Sequence, residues 1–89
     1  MSEFKLGQIV FSKSGRDKGM AFIIVQVSGE FLHLSDGHIR KLEKPKKKKI
    51  KHVQKTNFID DDVRIKLEEK SYLLDSDIRK SIKNFKEVD

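Results

Sequence analysis

The chain has 89 residues, of which 36% are hydrophobic and 38% charged, with a formal net charge of +6. That length fits one domain with one modest core, and with no cysteine the fold must hold by packing, without disulfides or thiolate metal ligands. No apolar run approaches the roughly 20 residues of a membrane span and MSEFKLGQIVF lacks a signal-peptide pattern, so no membrane partner and a cytoplasmic location are expected.

In chain order, the first half reads as short strands. Residues 7 to 13, GQIVFSK, alternate, with Ile9 and Phe11 on one face and Gln8, Val10 and Ser12 on the other. After SGRDKG, whose Gly15 and Gly19 permit a tight connection, comes AFIIVQV at 21 to 27, a near-continuous β-branched run suited to a strand covered on both sides. Ser28-Gly29-Glu30 reads as a turn, FLHL at 31 to 34 as a third strand, and Ser35-Asp36-Gly37 as a hairpin turn into a fourth strand from His38 to Leu42. Short strands joined by glycine turns suggest a small closed or half-closed barrel, in which few edges stay exposed.

The segment 41 to 52, KLEKPKKKKIKH, carries seven lysines. Pro45 excludes an amphipathic helix there. Leu42 on one side and Ile50 and Val53 on the other pin its ends, so the expectation is a tethered, extended strap beside the 15–19 loop. Beyond it, Ile59, Val63 and Leu67 follow helical spacing behind the acidic Asp60-Asp61-Asp62, although Val63, Ile65 and Leu67 also alternate as a strand would. Helix is favoured by the acidic first turn and the absence of a hairpin partner. Leu74, Ile78, Ile82 and Phe85 line one face of a second helix, with Asp75 or Ser76 as N-cap. The expected fold is therefore mainly β, a small barrel over residues 1–56 with a basic strap at 40–52, followed by a helical extension of about two helices over 57–89.

Charge is divided along the chain. Residues 1 to 56 hold 13 Lys or Arg against 5 Asp or Glu, and residues 57 to 89 hold 7 against 9. A positive field concentrated on one unit attracts polyanions, of which nucleic acid is the commonest.

Gly7, Val10, Gly15-Arg16-Asp17-Lys18-Gly19 and the apolar strand that follows resemble a KOW motif. KOW modules are SH3-like small barrels of large-subunit ribosomal proteins and transcription elongation factors. The continuation DGHIRKLEKPKKKKIKHVQKT is similar to small bacterial KOW-domain RNA-binding relatives of a eukaryotic- and archaeal-type large-subunit ribosomal protein, and the resemblance spans residues 6 to 56. It implies a ribosomal or ribosome-associated protein that binds structured rRNA, is monomeric when free, and has ribosomal proteins as further neighbours. The alternative is a KOW-type protein-interaction module of a transcription or translation factor.

The expected RNA-binding residues are Lys13, Arg16, Lys18, Arg40, Lys41, Lys44, Lys46, Lys47, Lys48, Lys49, Lys51 and His52, with Gly7, Gly15 and Gly19 shaping the turns. For the glycine loop two readings stand side by side: a turn that needs glycine for geometry, or one whose N–H groups and cations also hold phosphate. Arg16 has the fork for bidentate phosphate contact or base stacking, while Asp17 is expected to fix the turn. The lysine run is either a solvated face or a point-charge grip on phosphates, with little reading of sequence. On the second reading, charge reversal at 46–49 removes binding with little effect on melting. His33, His38 and His52 lack metal-ligand spacing, the aspartate cluster fits a helix N-terminus, and no nucleophile, base and orienter set is present. No metal, cofactor or enzymatic activity is expected.

Overall fold

The computed structural model describes residues 4–88 and contains five strands and two helices. The strands are β1 (Gln8–Ser12), β2 (Ala21–Ser28), β3 (Phe31–Ser35), β4 (Lys46–Lys49) and β5 (Val53–Ile59). A 3₁₀ turn over Ile50–His52 links β4 to β5, and the helices are α1 (Asp61–Glu68) and α2 (Asp75–Val88). All strand pairs are antiparallel, in the order β4-β3-β2-β1-β5.

That order has a geometric consequence. The two edge strands, β4 and β5, are consecutive in the chain and joined by only three residues. Across a flat five-stranded sheet, four inter-strand gaps of about 4.8 Å would hold the edges roughly 19 Å apart. A 3₁₀ turn advances only about 2 Å per residue. The sheet must therefore curl until its edges converge at that end, yet among the described residues no ladder pairs β4 with β5, so the sheet stays open.

Curling gives each face its own core. The face turned inward carries Val10, Phe22, Ile24, Leu32, Leu34 and Val53. The other face carries Ile9, Ala21 and Ile23, and is covered by Val63 of α1 and Ile78 and Ile82 of α2. Both faces of β1 and of the first half of β2 are thus buried, which is why β2 reads as a continuous apolar run. A bulge between Ile24 and Gln26 then shifts the alternation, so that Val27 packs with the inner cluster while Gln26 lies exposed.

The helices form as their spacing predicts. Asp60 caps α1, its carboxylate accepting from the Val63 N–H at 3.1 Å, and Val63 is buried while Ile65 stays exposed, which decides helix over strand. In α2, Ile78 and Ile82 face the sheet and Phe85 meets Phe58 edge-on at 5.5 Å and Phe11 at 5.9 Å. Leu74, expected on that face, precedes the helix and is 44% exposed. Asp75 does not act as the N-cap. Its carboxylate accepts from the Leu42 N–H at 2.8 Å and fastens the start of α2 to the 36–45 loop, while Asp77 accepts from the Leu74 N–H at 3.0 Å.

Two glycines seat the helices. Gly7 has φ +80°, and a Cβ there would lie 2.8 Å from the Asp60 carbonyl oxygen and 2.9 Å from Arg64 Cβ. Gly37 has φ +76°, and its Cβ would lie 2.5 Å from the Asp75 carbonyl oxygen. Gly37 also accepts a 2.7 Å hydrogen bond from Arg79. Gly37 is therefore a docking point for α2, and the hairpin expected at Asp36-Gly37 is absent.

The fourth strand also lies elsewhere than expected. Residues 38 to 42 form a loop organised by local hydrogen bonds: the Asp36 carboxylate accepts from the N–H groups of His38 and Arg40, both at 2.9 Å, and the Ser35 hydroxyl donates to the Arg40 carbonyl at 2.7 Å. A short polar side chain capturing the backbone in this way competes with a ladder. Pairing with β3 is taken up only after Pro45, by the four lysines 46–49. Lysine is a poor strand former in isolation but suits an exposed sheet edge, where its charge discourages further strands from adding. Strand β5 reaches Ile59, and both helices share a core with the sheet instead of trailing from it.

Candidate nucleic-acid interface

The lysine run becomes two surfaces because a strand alternates. Lys46 and Lys48 lie opposite Leu34 and Leu32 and share their face, whereas Lys47 and Lys49 lie opposite His33 and Phe31 on the other. Lys48 is buried, at 8% exposure. Its Nζ donates to Asp17 Oδ1 and to the Ser14 carbonyl, both at 2.8 Å. Lys46 Nζ sits 3.2 Å from Asp17 Oδ2, and the Ser12 hydroxyl donates to Oδ1 at 2.7 Å. Burial pushes the Asp17 carboxyl up, but the hydrogen bonds from Lys48, Ser12 and Lys46, together with the Lys48 charge, more than offset this and hold it well below the usual carboxylate range.

Two of the four lysines are thus committed to the protein. A uniform surface run, whose charge reversal would leave melting unchanged, is corrected by this arrangement: a carboxylate at position 48 would be buried against Asp17. The strap does lie beside the 15–19 loop, as expected, and the Lys48 to Asp17 bridge is the contact that holds it there. Asp17 fixes the loop as expected.

Within that loop the hydrogen bonds are largely internal. The N–H groups of Lys18, Gly19 and Met20 donate to the carbonyls of Gly15, Ser12 and Asp17. Gly15 and Gly19 adopt φ of +83° and +86°. Those three amides are spent on the turn, and its means of meeting an anion are the exposed side chains of Lys13, Arg16 and Lys18.

The structure sorts the remaining expected residues into two places. A groove of about 710 Å³ opens where the converging sheet edges meet the β2–β3 turn. Its apolar floor is Phe4, Ile50 and Val53, and among the described residues its rim holds Lys13, Lys49, Lys51 and Lys55 together with the acid Glu30. Lys13 is tied to the 3₁₀ turn by its N–H, which donates to the His52 carbonyl at 2.8 Å. Lys47 and Lys49 flank the Phe31 ring at 4.4 and 5.9 Å, cation–π contacts that hold their stems in place and leave the ammonium groups exposed.

Arg16, Arg40 and Lys46 gather instead around a smaller pocket, of about 240 Å³, between the 13–20 and 36–45 loops. Lys18, Lys41 and Lys44 are exposed and line neither cavity, and His52 is half-buried in the 3₁₀ turn. Lys55, on β5, is a rim residue that sequence reasoning missed. The signal was weak, since a lone lysine in VQKTNFI carries no motif and the strand containing it was itself not foreseen.

Among the described residues no group of three or more acidic or histidine side chains converges as a metal site, and no helix is long and apolar enough to cross a membrane. No protein-family model matches the chain, and no curated protein matches its sequence. The functional reading therefore rests on the residues themselves.

Proposed function

We propose that the protein binds structured RNA through its phosphate backbone, as a cytoplasmic, ribosome-associated KOW-type module built on an SH3-like half-open barrel. The observation that carries this reading is the groove at the converging sheet edges, where among the described residues four lysines and Glu30 surround an apolar floor. Lysines act there as point charges: each neutralised phosphate releases condensed counterions, giving affinity that depends on salt and little on sequence. A groove set on a curled sheet matches a backbone's shape better than it reads base edges, and structured rRNA is the ligand class that the KOW resemblance implies. The five antiparallel strands and the glycine loop between β1 and β2 agree with that resemblance.

The test is binding of a labelled RNA hairpin by fluorescence anisotropy, with Lys49→Ala and Lys51→Ala combined. The double variant should melt as the parent does and bind at least tenfold more weakly. Equal binding by the two proteins would remove the groove from consideration. A second reading, a protein-interaction module of a transcription or translation factor, is favoured by the exposed Met20 and Ile39. Partners that survive nuclease treatment in a pull-down would support it.

A further inference from the structure

The 240 Å³ pocket between the 13–20 and 36–45 loops is chemically unlike the lysine groove. Its apolar surface comes from Met20, Phe22 and Ile39, and arginines 16 and 40 stand at its rim. Ile39 is 75% exposed and Met20 36%, and the two lie side by side at the pocket on loops that are otherwise tightly hydrogen-bonded. Among the described residues neither guanidinium makes an ion pair or a hydrogen bond, although Asp17 and Asp36 line the same pocket. Those carboxylates are already engaged, Asp17 by Lys46 and Lys48 and Asp36 by the backbone of its own loop. The exposed Arg16, the half-exposed Arg40 and the apolar side chains of Met20 and Ile39 are thus left open to solvent above the buried Phe22, on loops fixed in advance.

We infer that this pocket takes a single unpaired nucleobase of the bound RNA, held between the apolar floor and a stacked arginine. The inference rests on the RNA-binding reading above and adds to it a preference for RNA with an extruded nucleotide. Unstacked bases pack on apolar side chains and on guanidinium planes, and arginine, unlike lysine, offers such a plane. Pocket size agrees, having room for one ring system but not for a helix. Continuity with the groove agrees as well. The 13–20 loop places Lys13 on the groove and Arg16 at the pocket, and β4 places Lys49 on one and Lys46 on the other. Lys46 and Lys49 lie on opposite faces but only about 10 Å apart along the exposed edge strand β4, so a backbone gripped at the groove can pass around that edge and present a neighbouring base to the pocket.

The experiment compares three RNA hairpins of one sequence: fully paired, with a one-nucleotide bulge, and with an abasic residue at that bulge. The wild-type protein should bind the bulged hairpin about tenfold more tightly than the abasic one, which has the same phosphates and bend. Ile39→Ser and Arg16→Lys should each erase that difference. Arg16→Lys keeps the charge and removes the plane, and residue 39 is too exposed for its loss to unfold the chain, which a melting curve checks. Equal affinity of the wild type for bulged and abasic hairpins overturns the inference while leaving the RNA reading intact, and failure to bind any hairpin defeats the RNA reading itself. If Ile39→Ser leaves RNA binding untouched and abolishes a nuclease-resistant protein complex, the pocket is a protein site and the inference is wrong.

Discussion

Neighbouring lysines in this chain do opposite things, and burial separates them. Lys48 and Lys49 are adjacent and chemically identical, yet one ammonium is buried against Asp17 and the other is exposed beside the groove. Removing Lys48 takes away the closer of the two ammonium partners of Asp17 and leaves that carboxylate to Lys46 and Ser12, at a cost of roughly 2 kcal/mol. Lys48→Ala should therefore lower Tm by about 10 °C in a domain of this size, and Lys49→Ala should leave it nearly unchanged while weakening RNA binding. Thermal melts of the two variants check the contrast. Asp17 adds a pH signature. Its folded-state pKa lies below the unfolded value of about 3.9, so its contribution to stability is complete above that pH and is lost progressively as the solution is acidified below it. In denaturant melts between pH 6 and pH 2, Asp17→Asn should start less stable and show a shallower acid decline than the parent. A parallel decline would contradict the bridge. The Asp17 turn was legible in the sequence, but its lysine partners were not, because the bridge joins positions 31 apart.

At the scale of elements, the periodic segments were legible and the polar ones were not. β1 and α2 follow from alternation and from three- and four-residue spacing, β2 and β3 from short β-branched or apolar runs bounded by glycine turns, and α1 from its acidic first turn, since its apolar spacing alone fits helix and strand alike. β4 carries four lysines and no apolar residue, so no hydrophobic pattern marks it, and its register is set by β3 and Asp17. The hairpin read at Asp36-Gly37 failed because Gly37 is needed for close approach: α2 occupies the space its side chain would fill. That difference can be measured. Gly19 has φ +86° and open space, with nothing within 4 Å of where a Cβ would lie, so Gly19→Ala meets only backbone strain, about 1 kcal/mol. Gly37→Ala meets the same strain and also the Asp75 backbone at 2.5 Å, and should cost about 3 kcal/mol and loosen α2. Urea melts with hydrogen exchange on α2 distinguish the two, and equal costs would show that the helix does not depend on that contact.

For the whole molecule, the division of charge survived the passage from sequence to structure better than the identity of the binding residues. The basic first part of the chain was evident from composition, but which cations stay exposed depends on the curl of the sheet, which brings β4, the 3₁₀ turn and β5 around one groove. Commitment of Lys46 and Lys48 to Asp17 lowers the number of phosphates the protein can neutralise. Lys13, Lys49, Lys51 and Lys55 are exposed at the groove, which sets the expected number there near four in place of a count over the whole run. The most direct measurement is the Kd for a structured RNA hairpin across a range of monovalent salt. With about four phosphates neutralised, log affinity should fall against log salt with a slope of roughly −3 to −4, reduced by about 2 in the Lys49→Ala, Lys51→Ala double variant. A salt-independent Kd, or a slope unchanged by the double substitution, would contradict electrostatic docking at the groove.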